Sequence, residues 1–295
     1  MIRPLLTVIV LAGCAAGARA GDDTWQPATW NGEKAFVSTA QGWKAVVSLE
    51  RGRLMYFGAA ARDLNLLLAP PSRANRDVLG GHRLWLGPQS FWGWPPPAAW
   101  EFSGPETVTT AGGVLRLLMP DAGGGWPRLT RTYRWDGSKL VCGAEISGGT
   151  RAAQIIQIFQ VPIATVVTVQ ARPEGKFPAG YVKLPSNAGP FAASFPTPRH
   201  VARVENTLTL RHMAEVMKLG FRPQTLAGAA GEFILLVSRG VQTGSAAGEP
   251  DEGFFSQVYL SSGEQGFIEL EQLSPLFAAG GGASFATVLE ARPSR

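Results

Sequence analysis

Near the C-terminal end, the run GFIELEQLSP sets two glutamates, Glu269 and Glu271, two residues apart in a β-prone context. Side chains alternate between the faces of a strand, so Phe267, Glu269 and Glu271 share one face and Ile268, Leu270 and Gln272 the other. The two carboxylates then project together, about 6.5 to 7 Å apart along the strand. Such a face is either the solvated surface of an antiparallel strand or the wall of a groove, where a carboxylate binds sugar hydroxyls or removes a proton from one. A second concentration of chemistry lies in GGHRLWLGPQSFWGWPPPAAWE, residues 80–101, where four of the chain's nine tryptophans accompany His82 and Arg83. Pro95 to Pro97 can neither donate to a sheet ladder nor continue a helix, which predicts an irregular or polyproline-like surface segment. Trp92 and Trp94, flanked by Gly93 and Pro95, are candidates for a sugar platform, because an indole offers a broad apolar face and one polar N–H. The competing reading pins tryptophans onto the core. Trp85, inside the strand-like HRLWL, and Trp100 are expected to clamp the loop in that way.

Other chemistries find little material. Cys142 lies in the apolar run SKLVCGAEIS and reads as a buried, inert thiol. With Cys14 lipidated or removed it stands alone, which excludes a disulfide framework. The histidines are His82, His200 and His212, with no close His/Cys pairing, so no metal site is expected and no cofactor is implied. His212 ends the alternating LTLRH and His200 follows the turn-like PTPR; both read as structural. The formal net charge is +5, and removing residues 1–20 leaves 25 basic against 22 acidic residues, or +3. No basic block with interleaved aromatics occurs, so nucleic acid is not an expected partner.

The compartment is legible at the N-terminus. MIRPLLTVIVLAGCAAGARA, residues 1–20, has an early Arg, an apolar run from Leu5 to Leu11 and small residues ending Ala18-Arg19-Ala20, the pattern of an export signal peptide. The apolar run is far short of the roughly 20 residues that span a bilayer. Cleavage after Ala20 fits the small-residue rule, whereas LAGC at Leu11 to Cys14 resembles a bacterial lipobox, with Cys14 lipidated as the new N-terminus. Both processing routes stay open. Either predicts an exported protein, periplasmic or held by a lipid anchor to the outer membrane and facing the periplasm.

The elements that must position these residues are β almost throughout. WKAVVSLERGRLMYFG reads as two strands around Gly52. RTYRWDGSKLVCGAEI reads as a hairpin whose Asp136-Gly137 supplies the positive φ of a tight turn. IIQIFQVPIATVVTVQ, NTLTLRH, EFILLVS and SQVYLSSGEQGFIELEQL continue the series, with 36 glycines and 22 prolines to turn the chain. Only HMAEVMKLG offers a short helical stretch. A hydrophobic fraction of 45% can build a large core, no solenoid or propeller period is present, and QTGSAAGEPDEG is a loop. The spacing predicts a sandwich or barrel, with residues 21–295 as a single domain.

The Gly-Gly-x-Arg-Leu-Trp opening, the Trp-Pro-Pro-Pro segment and the late IELEQLSP, followed by a Gly-rich turn and a final strand, together resemble the galactose-mutarotase-like (aldose 1-epimerase-like) proteins, in particular an uncharacterised bacterial family of them. The similarity runs in blocks from about Trp43 to Glu290. It implies an all-β, mainly antiparallel β-supersandwich with a carbohydrate groove across one concave sheet. In mutarotases a carboxylate takes the proton of the anomeric hydroxyl while a histidine protonates the ring oxygen, each positioned transfer worth roughly 10² to 10⁴ in rate. By resemblance, Glu271 matches the late glutamate, with Glu269 as the alternative, and Arg83 matches the arginine that contacts sugar hydroxyls. The chain departs from the pattern at the acid. RAAQIIQIFQVP carries Gln154, Gln157 and Gln160 where mutarotases carry an Asn-His-x-x-Phe motif, and glutamine is no general acid. His82 could replace it only if the fold sets it opposite Glu271. The expectation is therefore an exported carbohydrate-binding protein without efficient epimerase activity, with an epimerase using Glu271 as base and His82 as acid as the alternative.

Overall fold

The structure is a computed structural model that describes residues 24–70, 79–92, 94–175, 177–184, 200–213, 216–250 and 253–294. The leader, residues 1–20 with Cys14, lies outside the described residues. Among the described residues, three antiparallel sheets account for the regular structure, and helix is limited to short turns such as Gln89–Phe91 and Ala98–Glu101. A five-stranded sheet is formed in chain order by Gln26–Trp30, Glu33–Ala40, Trp43–Ser48, Arg53–Ala59 and Leu64–Asn65. A ten-stranded sheet has at its centre Phe233–Thr243, Ala283–Pro293, Lys139–Ser147 and Arg128–Asp136. The third sheet runs Val182–Lys183, Met217–Phe221, Ser256–Leu260, Phe267–Phe277, Ala153–Pro162 and His82–Gly87, with Ala246–Gly248 beside Phe267–Phe277. One continuous apolar core joins the inner faces of all three, including Phe57, Leu84, Phe159, Leu270, Phe285 and Leu289.

Local sequence explains much of this. Lys139 pairs with Asp136, leaving a two-residue loop in which Gly137 has φ +61°, a left-handed angle that costs glycine nothing. Val141, Cys142 and Ala144 are buried by the adjoining strands, and burial pushes the Cys142 thiol well above its ordinary pKa, so it is inert. The short helix expected in HMAEVMKLG is absent where described. Met217–Phe221 is instead a strand, paired to Ser256–Leu260 on one side and Val182–Lys183 on the other. Two ladders of backbone hydrogen bonds outweigh the weak helical bias of so short a segment.

The edge strand His82–Gly87 is fitted into place by unusual partners. Gly81 enters it at φ +67°, with a Cβ there lying 2.2 Å from the Leu54 carbonyl, so only glycine fits. On its unpaired edge, the His82 and Leu84 carbonyls accept from the Arg131 guanidinium at 3.1 and 3.4 Å, and the Leu86 carbonyl accepts from the Trp92 indole at 2.7 Å. Buried carbonyls must find donors, and side chains supply them where no further strand does.

Candidate functional site

The register of the seven-stranded sheet sorts its side chains into two sets. Arg83, Ile158, Glu271 and Gln257 lie opposite one another across four strands, and Gln160, Glu269, Tyr259 and Lys218 form the neighbouring row two residues along. Directly opposed residues point the same way, so both rows share a face. Residues of alternate parity, His82, Leu84, Phe159, Leu270 and Val258, point into the core. The sequence-derived residues Arg83, Glu269 and Glu271 are thus brought together, while His82, next in chain to Arg83, is sent to the opposite side.

On the polar face the charges form two groups. Glu269 Oε1 accepts from Arg83 Nη1 at 2.8 Å and from Gln160 Nε2 at 2.9 Å. Arg83 turns its Nε to Glu101 Oε1 at 2.8 Å, and Glu101, at the end of the turn Ala98–Glu101, also accepts from Trp85 Nε1 at 2.7 Å and from Arg53 at 3.3 Å. Burial opposes ionisation of Glu101, yet Arg53 and Arg83 hold its carboxyl below the usual range. The same burial brings the Arg53 guanidinium down to about 10. The second group is Glu271 with Lys218, whose ammonium lies 3.0 Å from Oε2 and 2.9 Å from Oε1. Burial pushes the Glu271 carboxyl up, with Lys218 pulling against it and Glu269 adding to it. Tyr259, between the two groups, is raised by burial and by the charge of Glu269. Neither glutamate occupies a solvated strand face: both are buried.

His82 cannot meet Glu271 across this geometry. Its ring stacks on Phe159 at 4.4 Å between centroids, its Nδ1 is 3.4 Å from the Tyr133 hydroxyl, and it is fully buried. Burial, with Arg131 and Arg53 nearby, holds its pKa well below the ordinary value, so the imidazole is neutral. Gln157 shares this core side and donates to the Phe285 carbonyl.

The tryptophans divide by role. Trp100 is buried edge-on to Trp126, Trp85 sits under the Arg83 guanidinium at 4.6 Å, and Trp92 is committed to the Leu86 carbonyl. Trp94 is different: 47% exposed, it stands edge-on to Trp85 at 6.1 Å, beside the Arg83 end of the polar face. At the opposite end of the face, Phe177, Leu184 and Phe254 form a small apolar cluster against Gly220. A separate cleft of about 380 Å³ on the ten-stranded sheet, lined in part by Thr130, Glu145, Thr243 and Ser284, contains none of the sequence-derived residues. Lys218, Tyr259 and Glu101 were not singled out in the sequence. Lys218 would have emerged had MKLGF been taken as a strand, where period-2 alternation isolates its one charge.

No protein-family model and no curated protein matches the sequence. Solved structures do match. A candidate aldose 1-epimerase from Escherichia coli K12 aligns over 88% of this chain and 99% of its own, with TM-score 0.59 at 12% identity. This chain has the galactose-mutarotase-like fold. A galactose mutarotase-like protein from Lactobacillus casei aligns over 88% of this chain and 100% of its own, with TM-score 0.58 at 10% identity. A candidate mutarotase from Salmonella typhimurium covers 98% of this chain and 97% of its own, with TM-score 0.53 at 12% identity. Within this galactose-mutarotase-like fold, the expected β-supersandwich is observed, and the polar face lies on the smaller of the two large sheets.

Proposed function

We propose that this chain is an exported carbohydrate-binding protein on the galactose-mutarotase-like fold, working in the periplasm or from a lipid anchor at the outer membrane, and without efficient epimerase activity. The observation that carries the reading is the parity of the strand His82–Gly87: Arg83 joins Glu269 and Glu271 on the polar face, whereas His82 is sealed in the core. Carboxylates, a guanidinium, an ammonium and an amide alternate there as acceptors and donors, the complement that sugar hydroxyls require. Trp94 adds an exposed indole at the rim for a pyranose to stack upon. A mutarotase exchange needs a positioned acid as well as a base, and His82, the candidate for that role, lies on the other side of the sheet from Glu271. Glu271 is moreover held by Lys218.

The test couples two measurements on the mature protein. Titration with neutral and acidic sugars is expected to perturb tryptophan fluorescence, and Trp94→Ala to weaken binding with the melting temperature nearly unchanged. Polarimetry of glucose and galactose is expected to reveal little acceleration, since loss of one positioned acid forfeits much of roughly 10² to 10⁴ in rate. Saturable mutarotation abolished by Glu271→Gln would establish the epimerase reading instead.

A further inference from the structure

We infer that the ligand is a glycan chain of two or more sugar units, seated across two aromatic platforms, Trp94 and Phe91. This rests on the carbohydrate reading and extends it from a single sugar to an oligosaccharide. Among the described residues, the large aromatic side chains that stand exposed are these two, at 47% and 51%. Three residues apart, their Cα atoms lie within about 10 to 11 Å of one another, a separation that nearby units of one pyranose chain can span. Exposed apolar side chains scattered singly need no explanation, whereas two rings gathered on one turn mark a binding surface.

The two platforms repeat one construction. Trp94 stands edge-on to the buried Trp85 at 6.1 Å, and the Arg83 guanidinium lies over that indole at 4.6 Å. Phe91 leans on the buried Trp126 at 6.4 Å, and the guanidinium of the exposed Arg151 lies over that indole at 5.4 Å. Both supports are fixed. The Trp85 indole donates to Glu101, and Trp126 is edge-on to Trp100 at 5.1 Å. Between them Trp92 is pinned to the Leu86 carbonyl and meets both Trp85 and Trp100 edge-on. The exposed rings are therefore held in place before a ligand arrives, which spares the cost of ordering them on binding. A pyranose presents a C–H face and a rim of hydroxyls. An aromatic ring takes the face, and the five donors of a guanidinium suit the rim. Two such units of one design call for a ligand that also repeats.

Isothermal titration of the mature chain tests this, comparing methyl glucoside and methyl galactoside with neutral and uronate oligosaccharides of two to five units. Wild type is expected to gain about 10-fold or more in affinity from glycoside to oligosaccharide, the order expected when one further ring face is covered. Phe91→Leu keeps an apolar cover on Trp126 but has no flat face, so it should abolish the gain at a nearly unchanged melting temperature. Phe91→Tyr should restore it. Trp94→Ala should weaken glycosides and oligosaccharides alike. A gain that survives Phe91→Leu overturns the second platform, as does a wild-type affinity independent of chain length. Should Phe91→Leu not fold, Arg151→Gln decides in its place, and an unaltered gain again overturns the proposal. Each of these results leaves the carbohydrate reading standing. Absence of binding to every saccharide overturns that reading and the glycan chain with it.

Discussion

Replacing Glu101 by glutamine should be among the most damaging conservative changes in the protein. Its carboxylate lies where Arg83, Arg53 and the Trp85 indole converge, at 2.8, 3.3 and 2.7 Å, and the side chains of Arg53 and Glu101 are fully buried. The amide keeps the shape but deletes the negative charge that Arg53 and Arg83 share, leaving Arg83 with Glu269 and Arg53 without a carboxylate among the described residues. Breaking a buried ion pair by removing one partner costs about 3 to 5 kcal/mol, because the other charge stays behind uncompensated. At roughly 2 to 4 °C per kcal/mol for a domain of this size, the melting temperature should fall by about 6 to 20 °C. Glu106→Gln provides the control, since its pairing with Arg128 is half exposed and should cost at most about 1 kcal/mol. The pH dependence has a definite sign. Glu101's folded pKa is depressed, so its stabilisation is present above the unfolded value of about 4.3 and disappears as pH falls through the lower folded value. Thermal melts of wild type and Glu101→Gln should therefore converge in acid. A Glu101→Gln protein within about 1 kcal/mol of wild type at pH 7 would refute the network as the fastening of the tryptophan loop.

His82 gives the opposite pH behaviour to an ion-paired histidine. Its folded pKa is depressed by burial and by two arginines, so the unfolded chain binds the extra proton first and stability should fall as pH drops below about 6.5; His82→Gln, neutral throughout, should flatten that slope in denaturant titrations. Export is checked by intact mass: an acylated Cys14 in membrane fractions, with Cys14→Ser redirecting cleavage to Ala20, is the expected outcome of the lipobox route, and an unmodified N-terminus at Gly21 rejects it.

Features governed by neighbours in the chain were legible from the sequence. Asp136-Gly137 announces its hairpin because a tight turn demands a positive φ, and Gly137 supplies it. Glu269 and Glu271 share a face because strand alternation is a covalent consequence of the backbone. The same alternation separates His82 from Arg83, so only one of the two could ever join the glutamates. Which one does so was decided by tertiary structure, since it depends on which face of His82–Gly87 meets the ten-stranded sheet. Long-range pairing also decided the rest. Arg83 reaches Glu269 across 186 residues and Lys218 reaches Glu271 across 53, through a register that no local pattern encodes. Met217–Phe221 became a strand because both of its edges found partners, and that outcome placed Lys218 beside Glu271. Turns and alternation are set by torsional preference within a few residues, whereas charge pairing and the choice of inner face follow from burial, which exists only once distant strands have assembled.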